Sequence, residues 1–439
     1  MLLIYSTEIN SRLKYIAGTL LQDFSGIEVF YTSSAEEFCS FDGAKINYSF
    51  NQLAEDEFHI VPSSSLLFEN DIKAINVPVK KHSHYKILFP CTQGDFSFDI
   101  FAASFFLLSR YEEYLPHQKD EYGRFAHTES IAFKGSFLDE PLINYWLKDF
   151  HIVLQSRFPF LLFALRKFRF MPTYDIDIAF SYLHKGTIRN AGGTMRSLLK
   201  GEIGDIKDRF EVIAGKKDDP FDTYEWLYAL HLKYNLNPYY FFLVAASPGE
   251  YDKNIDPSNP EMQELIRYHS IGYTVGIHPS WQSGDNDKLL HDEIKTMENI
   301  IERKVVHSRQ HYIRMNFPGT YRKLIEQGIH NEFSMGYGSI NGFRASVASP
   351  FYWYDLAAEE KTQLLLYPFC FMDANAYYEQ KLAPHQAFAE IRKYHDTIKK
   401  VSGTMVTIWH NNFFGSDKMF AGWKEVYELF LEEVVYWDL

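Results

Sequence analysis

The sequence predicts an α/β fold: a βα barrel over residues 166–439, set behind an N-terminal α+β domain over residues 1–165. Two observations predict it. From Arg169 onward, short apolar runs alternate with longer stretches whose apolar residues recur at three and four. That is the pattern of a parallel sheet closed, or partly closed, on itself. Ahead of Arg169 the alternation is absent, and short strand-like runs mix with helical stretches. A doubly wound open sheet is the alternative, but no GxGxxG or Walker sequence gives it a nucleotide site.

In the front domain, residues 2–5, 27–31 and 85–90 read as strands. Residues 96–113 (FSFDIFAASFFLLSRYEE) read as a helix, a turn-rich segment HQKDEYGRFAHTES follows, and 141–150 reads as a helix begun behind Asp139. In the barrel, strands are expected at 170–175, 239–245, 273–277, 312–315, 333–337, 364–369 and 405–409. Helices are expected at 221–234, 260–269, 285–304, 319–327 and 384–401, with a last one after Ser416. Asn259-Pro260 and the GDND sequence ahead of the third helix are start signals. No Gly/Ser linker, repeat or low-complexity tract marks the boundary, which rests on the change in pattern alone.

Composition narrows the partners. Lys and Arg number 44 against 57 Asp and Glu, a formal charge of −13. Nucleic acids and anionic membranes call for a concentrated basic surface, so this balance argues against both. Aromatics make up 17% of the chain, which serves core filling or stacking platforms for sugar rings. Cys39, Cys91 and Cys370 form neither a metal knuckle nor a disulfide framework, which suits a reducing compartment. The longest apolar runs are too short to cross a bilayer. A soluble, cytoplasmic protein is expected, with its oligomeric state left open.

In a βα barrel the site is built at the C-terminal ends of the strands. Thr173-Tyr174-Asp175-Ile176-Asp177 ends the first strand, and its two carboxylates, two apart in extended chain, point the same way. They suit either a metal site or an acid/base pair. His278-Pro279-Ser280-Trp281-Gln282 follows the third strand, and Pro279 bars its continuation as a central strand. Ser308-Arg309-Gln310-His311-Tyr312-Ile313-Arg314 brings two cations and an imidazole to a short apolar strand, and Trp409-His410 ends the last strand. With no GxSxG, CxxC or HExxH present, aspartate and imidazoles suit a divalent metal, zinc first, with cobalt, nickel or iron as alternatives. Metal-assisted hydrolysis of an amide or ester follows.

TYDID at Thr173–Asp177, HPS at His278–Ser280, Arg309 in SRQHYIR and Trp409-His410 resemble, in order, the motifs of the polysaccharide deacetylases, carbohydrate esterase family 4. The stretches EFSMGYGSINGFRAS and PFYWYDL, with LLSRYEEYLPHQKDEYGRF in the front domain, resemble a divergent bacterial branch. The resemblance implies a distorted (β/α)7 TIM-like barrel, a bound divalent metal and an N- or O-acetylated sugar or glycan as substrate. It implies Asp175 as base, Arg309 orienting it, His410 as general acid, and Asp177 and His278 as metal ligands. Where the family carries a second histidine ligand this chain has Gln282, so His311 or Gln282 itself is the expected third ligand. Glu332–Tyr337 also departs from the family's Asp/Trp segment. Tyr174, Trp281, Trp409 and Tyr337 are the aromatics expected against the sugar. Two functions stay open: a metal-dependent deacetylase, or a glycan-binding barrel that has lost catalysis through Gln282.

Overall fold

A computed structural model describes residues 1–435 of the chain. The front domain is built on a parallel four-stranded sheet of β1 (Leu2–Tyr5), β2 (Val29–Thr32), β3 (Ala44–Tyr48) and β4 (Phe58–Ile60), in the order β2-β1-β3-β4. A hairpin of β5 (Val79–His82) and β6 (Tyr85–Leu88) lies apart from it and turns at Ser83 with φ near +52°. The helix expected over 96–113 is shorter, Ile100–Leu108, and buried along its whole length. Asp99 caps its start by accepting from the Ala102 amide at 2.9 Å, and Arg110 ends it by entering the left-handed region.

Among the described residues the large sheet holds nine strands: β7 (Arg169–Ile176), β8 (Tyr239–Leu243), β9 (Thr274–His278), β10 (His307–Ser308), β11 (Asn331–Glu332), β12 (Phe351–Asp355), β13 (Glu360–Leu366), β14 (Phe369–Met372) and β15 (Thr404–His410). Their order is β12-β13-β11-β10-β9-β8-β7-β15-β14, and only β12, at one edge, runs antiparallel. The intervening helices start where caps predict: Asn259 ahead of Pro260–Gly272 and Asn286 ahead of Asp287–Ile301.

The sheet curls into a partly closed barrel. Phe333, just past β11, packs on Tyr239 of β8 with ring centroids 5.1 Å apart. In a flat sheet three strand spacings would separate them by roughly 14 Å. Irregular chain after β11 closes the gap to β14: the Phe369 amide donates to the Met335 carbonyl at 3.2 Å, and the Gly342 amide donates to Cys370 at 2.9 Å.

Four expectations are corrected. Residues 312–315 are not a strand. Pairing stops at Ser308, and the chain turns through His311–Ile313 with Tyr312 at φ near +58°. Beyond Glu332 the 333–337 run leaves the ladder to bridge to β14. The run 364–369 splits at Pro368, which has no amide hydrogen to donate. Helices Gly186–Lys200 and Ile203–Ile213, between β7 and β8, lie where no element was expected.

One cluster of buried apolar side chains runs through both parts of the chain. Polar ties cross the same boundary. Glu113 pairs with Arg344 and Arg110 in a dry setting, and Arg124 donates to the carbonyls of Tyr312 (2.8 Å) and Gly338 (3.1 Å). The front domain therefore helps build the face on which the strands end.

Candidate metal and catalytic centre

β7 alternates as a strand must, so Asp175 points into the barrel and Tyr174 out of it. Asp175 is buried, and its Oδ1 accepts from Arg309 Nη1 at 2.7 Å. Arg309 is fully buried; it also donates to Thr173 and the Phe333 carbonyl, and its guanidinium lies over the Phe241 ring at 4.5 Å. A buried carboxylate needs such a partner, and this one fixes its orientation as well.

Two residues on, Asp177 meets three imidazoles. His278 Nε2 lies 3.1 Å from Asp177 Oδ1, His311 Nε2 3.3 Å from Oδ2, and His410 Nε2 3.5 Å from Oδ2. Each ring is held from behind. His278 Nδ1 donates to the Arg309 carbonyl at 2.6 Å, His311 Nδ1 to Asp252 at 2.8 Å, and His410 Nδ1 to Asp373 at 2.6 Å. Those bonds leave every Nε2 facing Asp177, the arrangement that orients metal-ligating histidines.

Among the described residues, Asp177, His278 and His311 form the one group of this kind able to share a cation, their ligand atoms within 4.8 Å of one another. Asp177 Oδ1 is buried and makes no hydrogen bond. A carboxylate with two imidazoles, closely set and with one oxygen unsatisfied, fits a divalent ion with an open position. His311 is the third member. Gln282 turns away and donates to Asp252 at 3.3 Å.

Electrostatics follow from burial and charge. Burial alone would lower the His410 pKa, but Asp373 and Asp177 overcome it and push the group up to about 10. Asp177 and Asp252 likewise outweigh burial at His311, which rises to about 9. The imidazoles in turn hold the Asp177 carboxyl well below its usual range, against the effect of its own burial.

Asp175, Asp177, His278, His311 and His410 all line one cavity of about 710 Å³. Its outer wall includes Glu121 and Tyr122 from the front domain, with Tyr251, Tyr312 and Tyr378 from barrel loops. The aromatics expected there are mostly elsewhere. Tyr174 is buried outside the barrel, its hydroxyl on His231 (2.9 Å) and Tyr427 (2.5 Å). Trp409 is buried against Tyr427 and Phe414, because His410 takes the inward position. Tyr337 is buried beside Arg110 and Arg344 at the front-domain boundary. Trp281 lies under the Arg314 guanidinium at 4.0 Å and meets Tyr251 at a tilt, and it is not part of the cavity lining.

Sequence reading passed over two residues that the site uses. Asp373 is buried just past β14 and holds His410 through both amide and ring. The strand expected over 364–369 stops short of it, so its place at a strand end shows only in the structure. Asp252 lies in the irregular loop after β8, where no periodicity marks it.

Residues 2–159 match a family of unknown function (DUF7033). No curated protein matches the chain. Among solved structures, the chain is similar to a probable polysaccharide deacetylase from Pseudomonas aeruginosa PAO1, at 11% identity and a TM-score of 0.39, covering 62% of this chain and 85% of that one. It is similar to the polysaccharide deacetylase Bc1974 from Bacillus cereus, at 12% identity and a TM-score of 0.29, covering 61% and 89%. It is also similar to the Puue allantoinase, at 11% identity and a TM-score of 0.38, covering 60% and 84%.

Proposed function

We propose that the chain is a metal-dependent hydrolase that removes an acetyl group from an N- or O-acetylated sugar. The reading rests on one observation: a carboxylate held by a buried arginine, a three-residue cation site and a carboxylate-backed histidine converge on a single cavity.

Asp177, His278 and His311 would hold the ion, zinc first, with cobalt, nickel or iron as alternatives. When bound, it supplies positive charge that polarises a carbonyl and acidifies water. Asp175 takes the proton from the attacking water, and Arg309 keeps its carboxylate aimed. His410, protonated at neutral pH through Asp373, gives a proton to the departing amine or alkoxide. Acetate and the free sugar result. Tyr122, Tyr251 and Tyr312, in mutual ring contact at the cavity wall, offer faces for a sugar ring.

A non-catalytic glycan-binding barrel was the other reading, motivated by Gln282. His311 weakens that motive, because it supplies the imidazole that Gln282 lacks.

The test is acetate release from acetylated glucosamine oligomers by zinc-loaded protein. Turnover that disappears in Asp175→Asn, with metal content unchanged, supports the reading. Turnover equal in wild type and Asp175→Asn sinks it.

A further inference from the structure

His311 reaches the cation site from a turn that its own sequence does not favour. Tyr312 and Ile313, the next two residues, sit at φ near +58° and +55°, and neither is a glycine. In that region the Cβ crowds the backbone, most severely for a β-branched residue such as isoleucine. A conformation of this kind persists only where the surroundings impose it.

The barrel holds the chain on either side of the turn. The Arg309 amide donates to the Ile277 carbonyl at 3.1 Å, and the Gln310 amide donates to the Ser334 hydroxyl at 2.8 Å. Beyond the turn, Arg314 donates to the Trp281 carbonyl at 2.8 Å. The middle of the turn is held from the front domain instead. Arg124 Nη1 donates to the Tyr312 carbonyl at 2.8 Å, and among the described residues that carbonyl accepts from no other group.

Arg124 is itself fixed. It is buried, and its Nε donates to Asp120 at 2.6 Å. The same carboxylate accepts from the amides of Tyr122 (3.0 Å) and Arg124 (2.9 Å), which closes the loop on itself. Nη1 also reaches the Gly338 carbonyl at 3.1 Å. A Cβ on Gly338 would lie 2.1 Å from Nη1 and 2.9 Å from the Tyr312 oxygen, so the guanidinium enters only because that position has no side chain. The Tyr122 ring, under the guanidinium at 4.6 Å, meets the Tyr312 ring at 5.0 Å. Front-domain loop, turn and the chain after β11 thus meet in one joint, one residue from His311.

We propose that Arg124 is a positioning residue for the cation site: by holding the Tyr312 carbonyl from the front domain, it fixes the turn that aims His311 at Asp177. The front domain then does more than wall the cavity, because it sets the third ligand. The inference rests on the cation site of the deacetylase reading and not on its acetyl chemistry.

The experiment is zinc affinity of the full chain by chelator competition, with a thermal melt of each variant. Arg124→Ala removes no ligand, yet weakens zinc by about tenfold. Gly338→Ala crowds the same guanidinium from the barrel side and does likewise. Arg124→Lys keeps the charge without the fork and weakens zinc by less; it carries the test if Arg124→Ala does not fold. Lys119→Ala breaks another tie from this loop to the barrel, to Asn316 Oδ1 at 2.6 Å, and leaves zinc affinity unchanged. Added to His311→Ala, Arg124→Ala costs no further affinity, because it acts through that ligand. Additive losses overturn the assignment, as does wild-type affinity in both Arg124→Ala and Gly338→Ala; the metal reading survives either result. Equal weakening in Lys119→Ala overturns it too, since any loosening of the boundary would then suffice. Wild type that takes up no zinc removes the metal reading and the assignment together. Bound zinc without acetate release removes the deacetylase reading alone.

Discussion

His410 donates from Nδ1 to Asp373 at 2.6 Å, and the second Asp373 oxygen accepts from the His410 backbone amide at 2.7 Å. One carboxylate thus fixes the ring's rotation, its tautomer and its charge. Asp373 lies at the end of β14 and His410 at the end of β15, adjacent parallel strands, so sheet register brings the two together.

Asp373→Asn tests that arrangement. Asp373 raises the His410 pKa, so its neutralisation lowers it, and a general acid works only below its own pKa. The alkaline limb of kcat therefore moves to lower pH, by about one unit or more. Metal content stays at the wild-type level. A pH–rate profile of both proteins measures the shift, and coincident alkaline limbs would refute the assignment.

The cation site separates two positions that the sequence left level. His311→Ala removes a ligand, and bound metal by plasma mass spectrometry drops by a factor of about ten or more. Gln282→Ala leaves it close to wild type, since its amide meets Asp252 rather than the triad. The opposite ranking would mean that Gln282 is the third ligand.

Metal affinity should depend on pH. Without metal, Asp177 and Asp252 hold the His311 imidazole protonated up to about pH 9. A ligating nitrogen must lose that proton, so affinity climbs by about tenfold per pH unit between 7 and 9 and levels above. Competition against a chelator of known pH dependence reads the slope. A flat profile would show that His311 binds no metal.

Arg309 serves stability as well as orientation. Its removal in Arg309→Ala leaves Asp175 as an uncompensated buried charge, at a cost of about 3–5 kcal/mol. Arg309→Ala with Asp175→Asn recovers part of that loss, because the stranded charge is gone. Denaturant titration of both variants checks it; equal stability of the two would refute the coupling between Arg309 and Asp175.

The sequence by itself determined the strand–helix alternation after Arg169 and the strand ends at which Asp175, Asp177, His278 and His410 stand. These are local: a strand's period of two places alternate residues on one face, and a parallel barrel gathers its strand ends on one side. The same period shows why Tyr174 and Trp409 lie outside the cavity, since each neighbours a residue that points in. Tertiary structure alone decided the rest. His311 became the third member of the cation site because pairing stops at Ser308 and the chain turns inward, which a run of apolar residues does not reveal. Asp252 and Asp373 reach their histidines across 59 and 37 residues of chain, and Tyr122 meets Tyr312 only because the front domain packs onto the strand-end face. Contacts between residues so far apart depend on how the sheet curls and what covers its end, and neither is encoded in a local pattern.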